Sequence, residues 1–294
     1  MRSRTTWGLP LLLAGLLVVA GCALSDNDPD TRTEAIVVNH ASIELDGIPS
    51  TWITQAKQTL HIAYGHTSHG SQLTTGMAGL VTWKGDQYAF NTGGTGGALD
   101  LRDYYGDFGG LGVASDLGNP NRTAWEDATR LYLDQNPAIN VIIWSWCGQV
   151  DGTEAEIQHY LDLMEGLEAD YPDVTFVHMT GHTDGAPLTG NVPARNKQIR
   201  DYCIANNKVL FDFADIESYD PDGDYFGDKL VNDACDYDSN GDGTRDSNWA
   251  TIWQNAHPGE WYNCESAHSQ PLNANLKAYA AWHLWARLAG WDGN

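Results

Sequence analysis

The stretch that most constrains the fold is residues 60–76, LHIAYGHTSHGSQLTTG, in a chain of 294 residues. An apolar run from Leu60 to Tyr64 is typical of a buried strand, and a glycine-rich turn over residues 65–70 leads into a helical pattern that begins at Ser71. Glycine permits a tight turn, and the helix directs its free N–H groups and positive dipole end back at that turn. Such a unit holds the nucleophile in many α/β enzymes, and it is also ordinary loop chemistry in the same folds.

The alternation of strand and helix continues along the chain. The clearest buried strand covers residues 140–144, and further apolar runs at 174–180 and 208–213 are separated by helical patterns. Strands that alternate with helices predict right-handed crossovers and a parallel sheet between helical layers. The sequence therefore predicts an α/β fold, a three-layer flavodoxin-like sandwich with a parallel sheet. We expect a single domain over residues 34–294, with an acidic insertion at about 214–262.

The N-terminal residues predict a targeting signal rather than a part of the folded domain. Arg2 and Arg4 precede an apolar run that is too short to span a bilayer, and small residues stand directly before Cys22. This pattern is typical of a bacterial lipoprotein, which is cleaved before the cysteine and acylated on its thiol. We therefore expect a signal peptide over residues 1–21, a polar tether over residues 22–33, and a cell-envelope location, at the outer membrane or cell surface. The lipid on Cys22 is then the protein's one predicted attachment to a membrane.

The charge balance is strongly acidic. Aspartate and glutamate number 39 against 16 lysines and arginines, and the formal net charge is −23. A surface of this sign repels a phosphate backbone, so nucleic acid is not expected as a partner. The same surface is compatible with bound cations.

Five segments are predicted to meet at one edge of the sheet, because sites in open α/β sheets form at the carboxyl ends of the strands. The segments are residues 65–70, 91–97, 145–149, 181–185 and 264–268. In its order the set resembles the SGNH (GDSL-like) hydrolase family, which has a Gly-Asp-Ser turn, an Asn-x-Gly-x-x-Gly block, a third strand ending near an Asn, and an Asp-x-x-His before the last helix. Asn91, Gly93 and Gly96 match the second block, and Glu265 and His268 match the last with Glu in place of Asp.

The resemblance implies a serine-type ester hydrolase. It aligns Thr67 with the family's nucleophilic serine, and Ser68 follows one residue later. A primary alcohol is less hindered than that of threonine, so we predict Ser68 as the nucleophile and keep Thr67 as its rival. The resemblance makes His268 the general base, with Glu265 orienting its imidazole.

The same comparison implies donors for an oxyanion. These are the backbone N–H groups of Ser68 and Gly93, and the side chain of Gln149, which stands near the position of the family's Asn.

Histidines at the predicted edge support a different chemistry. Imidazoles together with a carboxylate are good ligands for zinc-like metals, and they are also candidate substrate-binding groups. The residues concerned are His66, His69, His182, His268 and Asp184. Metal-assisted hydrolysis, or a histidine-based lyase, is therefore the alternative function.

The acidic insertion contains a pattern similar to the first half of an EF-hand loop. Oxygen-bearing side chains alternate along it, and Gly243 stands where such a loop must turn. The predicted ligands are Asp236, Asp238, Asn240, Asp242 and Asp246. We expect calcium here to be structural and expect no cofactor for catalysis.

Four cysteines follow Cys22, and the sequence leaves three pairings open. We favour a disulfide between Cys235 and Cys264, because it would close the irregular acidic segment.

The expected substrate is an acylated glycan or a small ester. The chain has 12 tryptophans, and aromatic faces stack on sugar rings, which favours carbohydrate. A non-catalytic, glycan-binding surface lipoprotein is the third function that the sequence leaves open.

Overall fold

The structure, a computed structural model, describes residues 32–294 and contains an α/β sandwich. A seven-stranded, all-parallel sheet has the strand order β1-β7-β6-β5-β2-β4-β3. The strands are β1 (Ile36–Val38), β2 (His61–His66), β3 (Phe90–Asn91), β4 (Leu99–Tyr105), β5 (Val141–Trp144), β6 (Thr175–Met179) and β7 (Val209–Phe211). This arrangement confirms the predicted fold class, a flavodoxin-like three-layer sandwich.

Helices cover both faces of the sheet. They are α1 (Ser50–Thr59), α2 (Ser71–Lys84), α3 (Ala124–Gln135), α4 (Glu154–Asp170), α5 (Asn191–Ala205), α6 (Phe213–Ile216), α7 (Trp249–Ala256) and α8 (Pro271–Leu288). Strand β5 shows why the sequence folds this way. Val141 and Ile143 enter the core beneath α1, α2 and α8, whereas Ile142 and Trp144 enter the core beneath α3, α4 and α5. A strand buried on both faces needs the continuous apolar run that the sequence has.

Helices α2 and α8 approach each other closely. A Cβ atom on Gly76 would lie 2.1 Å from the carbonyl oxygen of Ala274, so only glycine allows this separation of the two backbones. The contact matters for function, because α2 follows the turn at residues 67–70 and α8 follows the loop that carries His268.

The glycine- and aspartate-rich residues 100–121 have the composition of a loop, but strand β4 occupies residues 99–105, because Leu99 and Leu101 are buried against the core. The predicted signal peptide and Cys22 lie outside the described residues. In the described part of the chain, no helix has the length and apolar character needed to cross a bilayer.

The acidic insertion is ordered around its own elements. It contains α6, α7 and a short hairpin of β8 (Asp236–Tyr237) and β9 (Ser247–Asn248), paired antiparallel. Main-chain bonds tie the insertion to the loop after β6, since Gly185 N donates to Val231 O at 3.0 Å and Asp184 pairs with Asn232. This attachment brings residues 231–233 to the carboxyl edge of the sheet.

Candidate active site

The turn between β2 and α2 carries the central residue of the site, His69. The turn is tight because Ser71 N donates to Thr67 O at 3.1 Å, and because the backbone at Gly70 lies close to the end of β5. A Cβ atom on Gly70 would lie 2.2 Å from Oγ of Ser145. The glycine thus permits the close approach that sets His69 beside the residues following β5.

Both ring nitrogens of His69 have partners. Nε2 lies 2.9 Å from Oδ2 of Asp233, and Nδ1 lies 3.5 Å from Sγ of Cys147. The imidazole is buried, while Asp233 and Cys147 are partly exposed. A thiol, an imidazole and a carboxylate therefore form a continuous hydrogen-bonded chain that opens to solvent.

Cys147 is held in the short turn after β5. Its backbone N–H donates to Oε1 of Gln149 at 3.0 Å, which fixes the turn, and the hydroxyl of Ser68 lies 3.7 Å from its sulfur. The thiol therefore has two hydrogen-bonding neighbours from the β2–α2 turn, Ser68 and His69. Both favour the thiolate over the thiol.

The electrostatics of the hydrogen-bonded series Cys147–His69–Asp233 favour an ion pair between Cys147 and His69. The hydrogen bond from His69 lowers the pKa of Cys147 to about 7; burial opposes the shift and the Ser68 hydroxyl adds to it. Burial by itself would lower the pKa of His69, but its bonds to Asp233 and Cys147 and the charge of Glu217 raise that pKa to about 9. Between these two values the thiolate and the imidazolium coexist.

The Asp233 carboxylate completes the ion-pair chain. Burial opposes its charge, but the hydrogen bond from His69 and the nearby His182 hold the pKa of Asp233 below its usual range. The carboxylate is therefore ionised at neutral pH, where His69 is protonated.

His69 lies between two other imidazoles. The ring of His182 stacks on it with centroids 3.8 Å apart and planes inclined by 7°, and the ring of His268 stacks at 4.4 Å and 19°. His268 has a φ of 63°, a conformation that costs energy for a residue other than glycine. The loop before α8 thus contains a strained backbone conformation at His268, and it places the ring of His268 against the ring of His69.

A fully buried polar network lies next to these loops. The ammonium of Lys277 on α8 lies 2.6 Å from Oε1 of Glu217, and it also bonds Gln72 and Asn273. Oε2 of Glu217 accepts bonds from the backbone and hydroxyl of Thr183, the neighbour of His182. The network therefore connects α2, α8 and the loop after β6 from inside the protein.

The serine relay predicted from the sequence is not formed. Among the described hydrogen bonds none joins Ser68 to His268 or Glu265 to His268, and both Glu265 and His268 are exposed. Ser68 faces Cys147 instead, and the hydroxyl of Thr67 donates to Oδ2 of Asp116 at 2.8 Å. The physical reason is the tight turn at residues 67–70, which presents His69 to the strand ends rather than either hydroxyl to His268.

The predicted oxyanion donors are also placed elsewhere. Gly93 lies near the amino end of β4, away from the carboxyl ends of the strands, because β3 pairs with the beginning of β4. Its N–H donates to Oδ1 of Asp100 at 2.6 Å. The side-chain oxygen of Gln149 is bound by Cys147 N–H, so Gln149 shapes the turn that holds the thiol.

Other donors lie at the turn itself. Within the described part of the chain, the backbone N–H groups of Ser68, His69 and Gly70 have no hydrogen-bond acceptor. They lie just before the N-terminus of α2, where the helix dipole favours negative charge.

The remaining predicted ligands separate into two groups. His66 points away from the site and bonds Asp103 and the carbonyl oxygen of Thr67. Asp184 is exposed and accepts a bond from Ala186 N at 3.0 Å. The carboxylate that meets His69 and His182 comes from Asp233, which the sequence did not single out. Ligand atoms of His69, His182 and Asp233 lie within 4.8 Å of one another, close enough to bind one metal ion together.

The calcium-loop pattern folds as the hairpin tip between β8 and β9. The Asp238 carboxylate accepts backbone bonds from Asn240, Gly241 and Gly243, and these bonds lower its pKa. Asp246 accepts from Ser239 N and from the Asn240 side chain. The side-chain oxygens of Asn240 and Asp242 each accept a backbone N–H two residues on, and Oδ1 of Asp236 accepts from Asn248. Calcium binding by this loop stays a prediction of the sequence.

The predicted disulfide is absent, and Cys235 and Cys264 are free thiols. Cys235 is buried and lies 3.3 Å from the Ser269 hydroxyl, whereas Sγ of Cys264 faces Asn275 on α8. The two sulfurs thus contact different parts of the C-terminal segment.

The tryptophans serve mainly in the core. Trp125, Trp144, Trp146, Trp249 and Trp253 are all buried, so they offer no face to a sugar ring. Their number reflects packing around the sheet.

No protein-family model and no curated protein matches this chain. The function of the site must therefore be inferred from its geometry.

The sequence analysis did not identify Cys147 and Asp233 as functional residues. Cys147 carried a usable signal, because it lies three residues after the end of β5, an entirely apolar strand. Asp233 carried none, since nothing local distinguishes it from the other acidic residues of the insertion.

Proposed function

We propose that this protein is an ester hydrolase in which Cys147 is the nucleophile, His69 the acid–base group and Asp233 its orienting carboxylate. One observation carries the proposal: a single imidazole contacts the Cys147 sulfur through one nitrogen, at 3.5 Å, and the Asp233 carboxylate through the other, at 2.9 Å. This is the arrangement that nucleophilic acyl transfer requires. Ester hydrolysis was also the expectation from the sequence, with a different nucleophile.

The first half of the reaction forms an acyl-enzyme. The Cys147 thiolate attacks the carbonyl carbon and forms a C–S bond, and the carbonyl electron pair moves to oxygen. When the tetrahedral intermediate collapses, the C–O bond to the alcohol breaks, and the His69 imidazolium supplies the proton that the leaving alkoxide needs. The products of this half are an alcohol, a thioester on Cys147 and a neutral His69.

Water completes the cycle. Neutral His69 takes a proton from the attacking water, the thioester C–S bond breaks, and the carboxylic acid leaves with the thiolate–imidazolium pair restored. Asp233 holds the imidazole in place and stabilises its charged form throughout. Each negative oxyanion needs donors that are fixed in advance, and the unpaired N–H groups of Ser68, His69 and Gly70 fit that role.

We propose an acylated glycan or a small ester as the substrate and the cell envelope as the location, with the chain anchored through a lipid on Cys22. The acidic net charge supports an uncharged or cationic substrate over an anionic polymer.

The test measures p-nitrophenyl ester turnover together with trapping of the thiol. We expect Cys147→Ala to lower kcat by about 10³-fold or more, as removal of a nucleophile does. Iodoacetamide should alkylate Cys147 at neutral pH and abolish activity in proportion. Ser68→Ala is the matched control, because its hydroxyl touches the same sulfur; it should keep most of the turnover. Full activity in Cys147→Ala, with loss in Ser68→Ala, would instead restore the serine mechanism.

A second candidate function is metal-assisted hydrolysis at His69, His182 and Asp233, favoured by the mutual spacing of their ligand atoms. The stacked geometry opposes it. A zinc ion lies close to the ring plane of each histidine ligand, about 2 Å from the nitrogen. His69 and His182 are nearly parallel with centroids 3.8 Å apart, so one ring must tilt before both bind the same ion.

Metal analysis distinguishes the two candidates. A cysteine hydrolase should retain activity after chelation and contain no stoichiometric transition metal. Loss of activity on chelation, with recovery on adding zinc and with turnover preserved in Cys147→Ala, would establish the metal mechanism.

A further inference from the structure

A cavity of about 400 Å³ begins one residue beyond His182. It lies between the loop after β6, the first turns of α5 and the segments that contain α6 and Val231. Its volume falls within the range of small-molecule sites. Cys147 and His69 do not line this cavity, so it is a separate space adjoining the catalytic groups.

The cavity and the catalytic groups share two chain segments. One runs from His182 to Asp184, and the other from Val231 to Asp233. They are joined by the bridge between Asp184 and Asn232 and by the bond from Gly185 N to Val231 O. Each segment contributes one residue that contacts His69, His182 from the first and Asp233 from the second, and at least one residue to the cavity wall. The cavity wall therefore begins at Thr183 and Val231, next to the segments that carry His182 and Asp233.

Four of the five charged side chains that line the cavity have side-chain partners within the protein, and the fifth, Asp184, is an exposed carboxylate that accepts a bond from Ala186 N. The Arg200 guanidinium donates two hydrogen bonds to the Asp212 carboxylate, at 2.5 and 2.8 Å, and the Lys197 ammonium donates to Asp201 at 2.5 Å. Asp215 is held by His40. The pairing of Arg200 and Asp215 therefore leaves these two groups little capacity to recognise a charged ligand.

The larger part of the remaining wall is apolar. Its apolar side chains are those of Ala186, Leu188, Val192, Pro193, Ala214 and Val231, and Thr183, Asp184, Asn196, Ser218 and Tyr225 add polar groups. Val192 and Val231 are buried, while Leu188 is 54% exposed. The larger, apolar part of the wall favours a hydrocarbon ligand, because binding there removes the apolar surface of the ligand from water.

We infer that this cavity binds the apolar acyl chain of the ester, so that the preferred substrates carry medium-length acyl groups rather than acetyl. The inference rests on the proposed hydrolase function, since it assigns the acyl side of the ester to the space beside His182. The polar alcohol, including a sugar, then stays on the open side of the site.

Binding is measured separately from turnover. Titration calorimetry on Cys147→Ala uses a series of straight-chain carboxylates from acetate to octanoate, which are products of the proposed reaction. Burial of one methylene is worth about 0.8 kcal/mol, so affinity should rise about fourfold per added carbon until the cavity is full. Repulsion between the acidic protein and the carboxylate is the same for every member of the series, so it cancels from the increments.

Two variants locate the binding. Leu188→Glu places a charge among the apolar cavity residues and should remove the chain-length dependence. Ile204→Glu on α5 is the matched control, because Ile204 is equally exposed at 54% and lies outside the cavity. Val192→Trp, checked for folding by circular dichroism, should fill the cavity and lower kcat/KM for octanoyl esters at least tenfold while leaving acetyl esters within about twofold.

The outcomes separate the two proposals. Turnover that depends on Cys147 but not on acyl length overturns the cavity assignment and leaves the hydrolase standing. Binding that grows with chain length, is lost in Leu188→Glu and is kept in Ile204→Glu supports the cavity even if no ester is hydrolysed, in which case the hydrolase falls. Dependence on the length of the alcohol instead of the acyl chain overturns the assignment.

Discussion

The ammonium nitrogen of Lys277 lies 2.6 Å from Oε1 of Glu217, and both side chains have 0% exposure. Burial lowers the pKa of Lys277, and the adjacent carboxylate opposes that shift. The pair joins the last helix to the loop after β6, because the other oxygen of Glu217 accepts from Thr183 N at 2.8 Å. His182, which stacks on His69, is therefore anchored through a buried charge pair.

Removing one member of this pair should be costly. Lys277→Met leaves the Glu217 carboxylate buried without its cation, and such a loss is worth roughly 3–5 kcal/mol of unfolding free energy. Urea denaturation followed by circular dichroism measures it. The double variant Lys277→Met with Glu217→Leu should recover part of the loss, because it removes both buried charges.

The control for this prediction is Lys197→Met. Lys197 also contacts a carboxylate, that of Asp201, but both side chains are more than half exposed. Solvent screens exposed pairs, so this change should cost less than about 1 kcal/mol. Equal losses in Lys277→Met and Lys197→Met would contradict the view that the buried pair holds the site together.

Activity should depend on pH in a bell shape. The pKa of Cys147 is lowered to about 7 and that of His69 is raised to about 9. Below the first value the sulfur is protonated and cannot attack; above the second the imidazole has no proton for the leaving alcohol. We expect kcat/KM to rise through about pH 7 and to fall through about pH 9, and a flat profile across pH 6–10 would exclude the ion pair.

Protonation of His69 should also stabilise the fold over a defined range. Its pKa is raised from 6.5 to about 9, so the stabilisation is fully present below pH 6.5 and is lost as the pH rises through about 9. The difference in unfolding free energy between wild type and His69→Ala, measured from pH 6 to pH 10, should shrink toward the alkaline end. A difference that grows with pH would have the wrong sign.

Asp233→Asn should weaken the acid–base group without removing it. The amide lacks the charge that favours the imidazolium, so the alkaline limb of the pH profile should move to lower pH and kcat should fall by roughly 10²-fold. Asp184→Asn is the matched control, since Asp184 is exposed on the neighbouring bridged segment and does not bond a histidine. An unchanged alkaline limb in Asp233→Asn would remove Asp233 from the mechanism.

His69 and His268 should differ sharply when each is replaced by alanine. His69→Ala removes the only imidazole bonded to Cys147 among the described residues and should abolish turnover. His268→Ala removes one stacking contact, worth about 0.5–1.5 kcal/mol, so activity should fall by about tenfold or less. If His268→Ala were as inactive as His69→Ala, the base predicted from the SGNH resemblance would regain its place.

The sequence led to the sheet edge but not to the correct partners within it. Residues 65–70, 145–149 and 181–185 were predicted to converge, and the structure brings His69, Cys147 and His182 from those segments together. Each prediction needed only a buried parallel strand and the turn after it, both of which are local patterns. The Gly93 prediction failed because motif order does not reveal that β3 pairs with the beginning of β4.

The sequence by itself determined the alternation of buried strands and amphipathic helices, because hydrophobic periodicity and glycine turns act over a few neighbouring residues. It also determined which side chains with reactive groups follow the strands. The tertiary structure alone decided that Asp233, 164 residues from His69, supplies the carboxylate. Such a pairing depends on how the insertion attaches at Asp184 and Asn232, and on a buried charge pair between Glu217 and Lys277. These contacts join distant segments, and no local pattern in the chain encodes them.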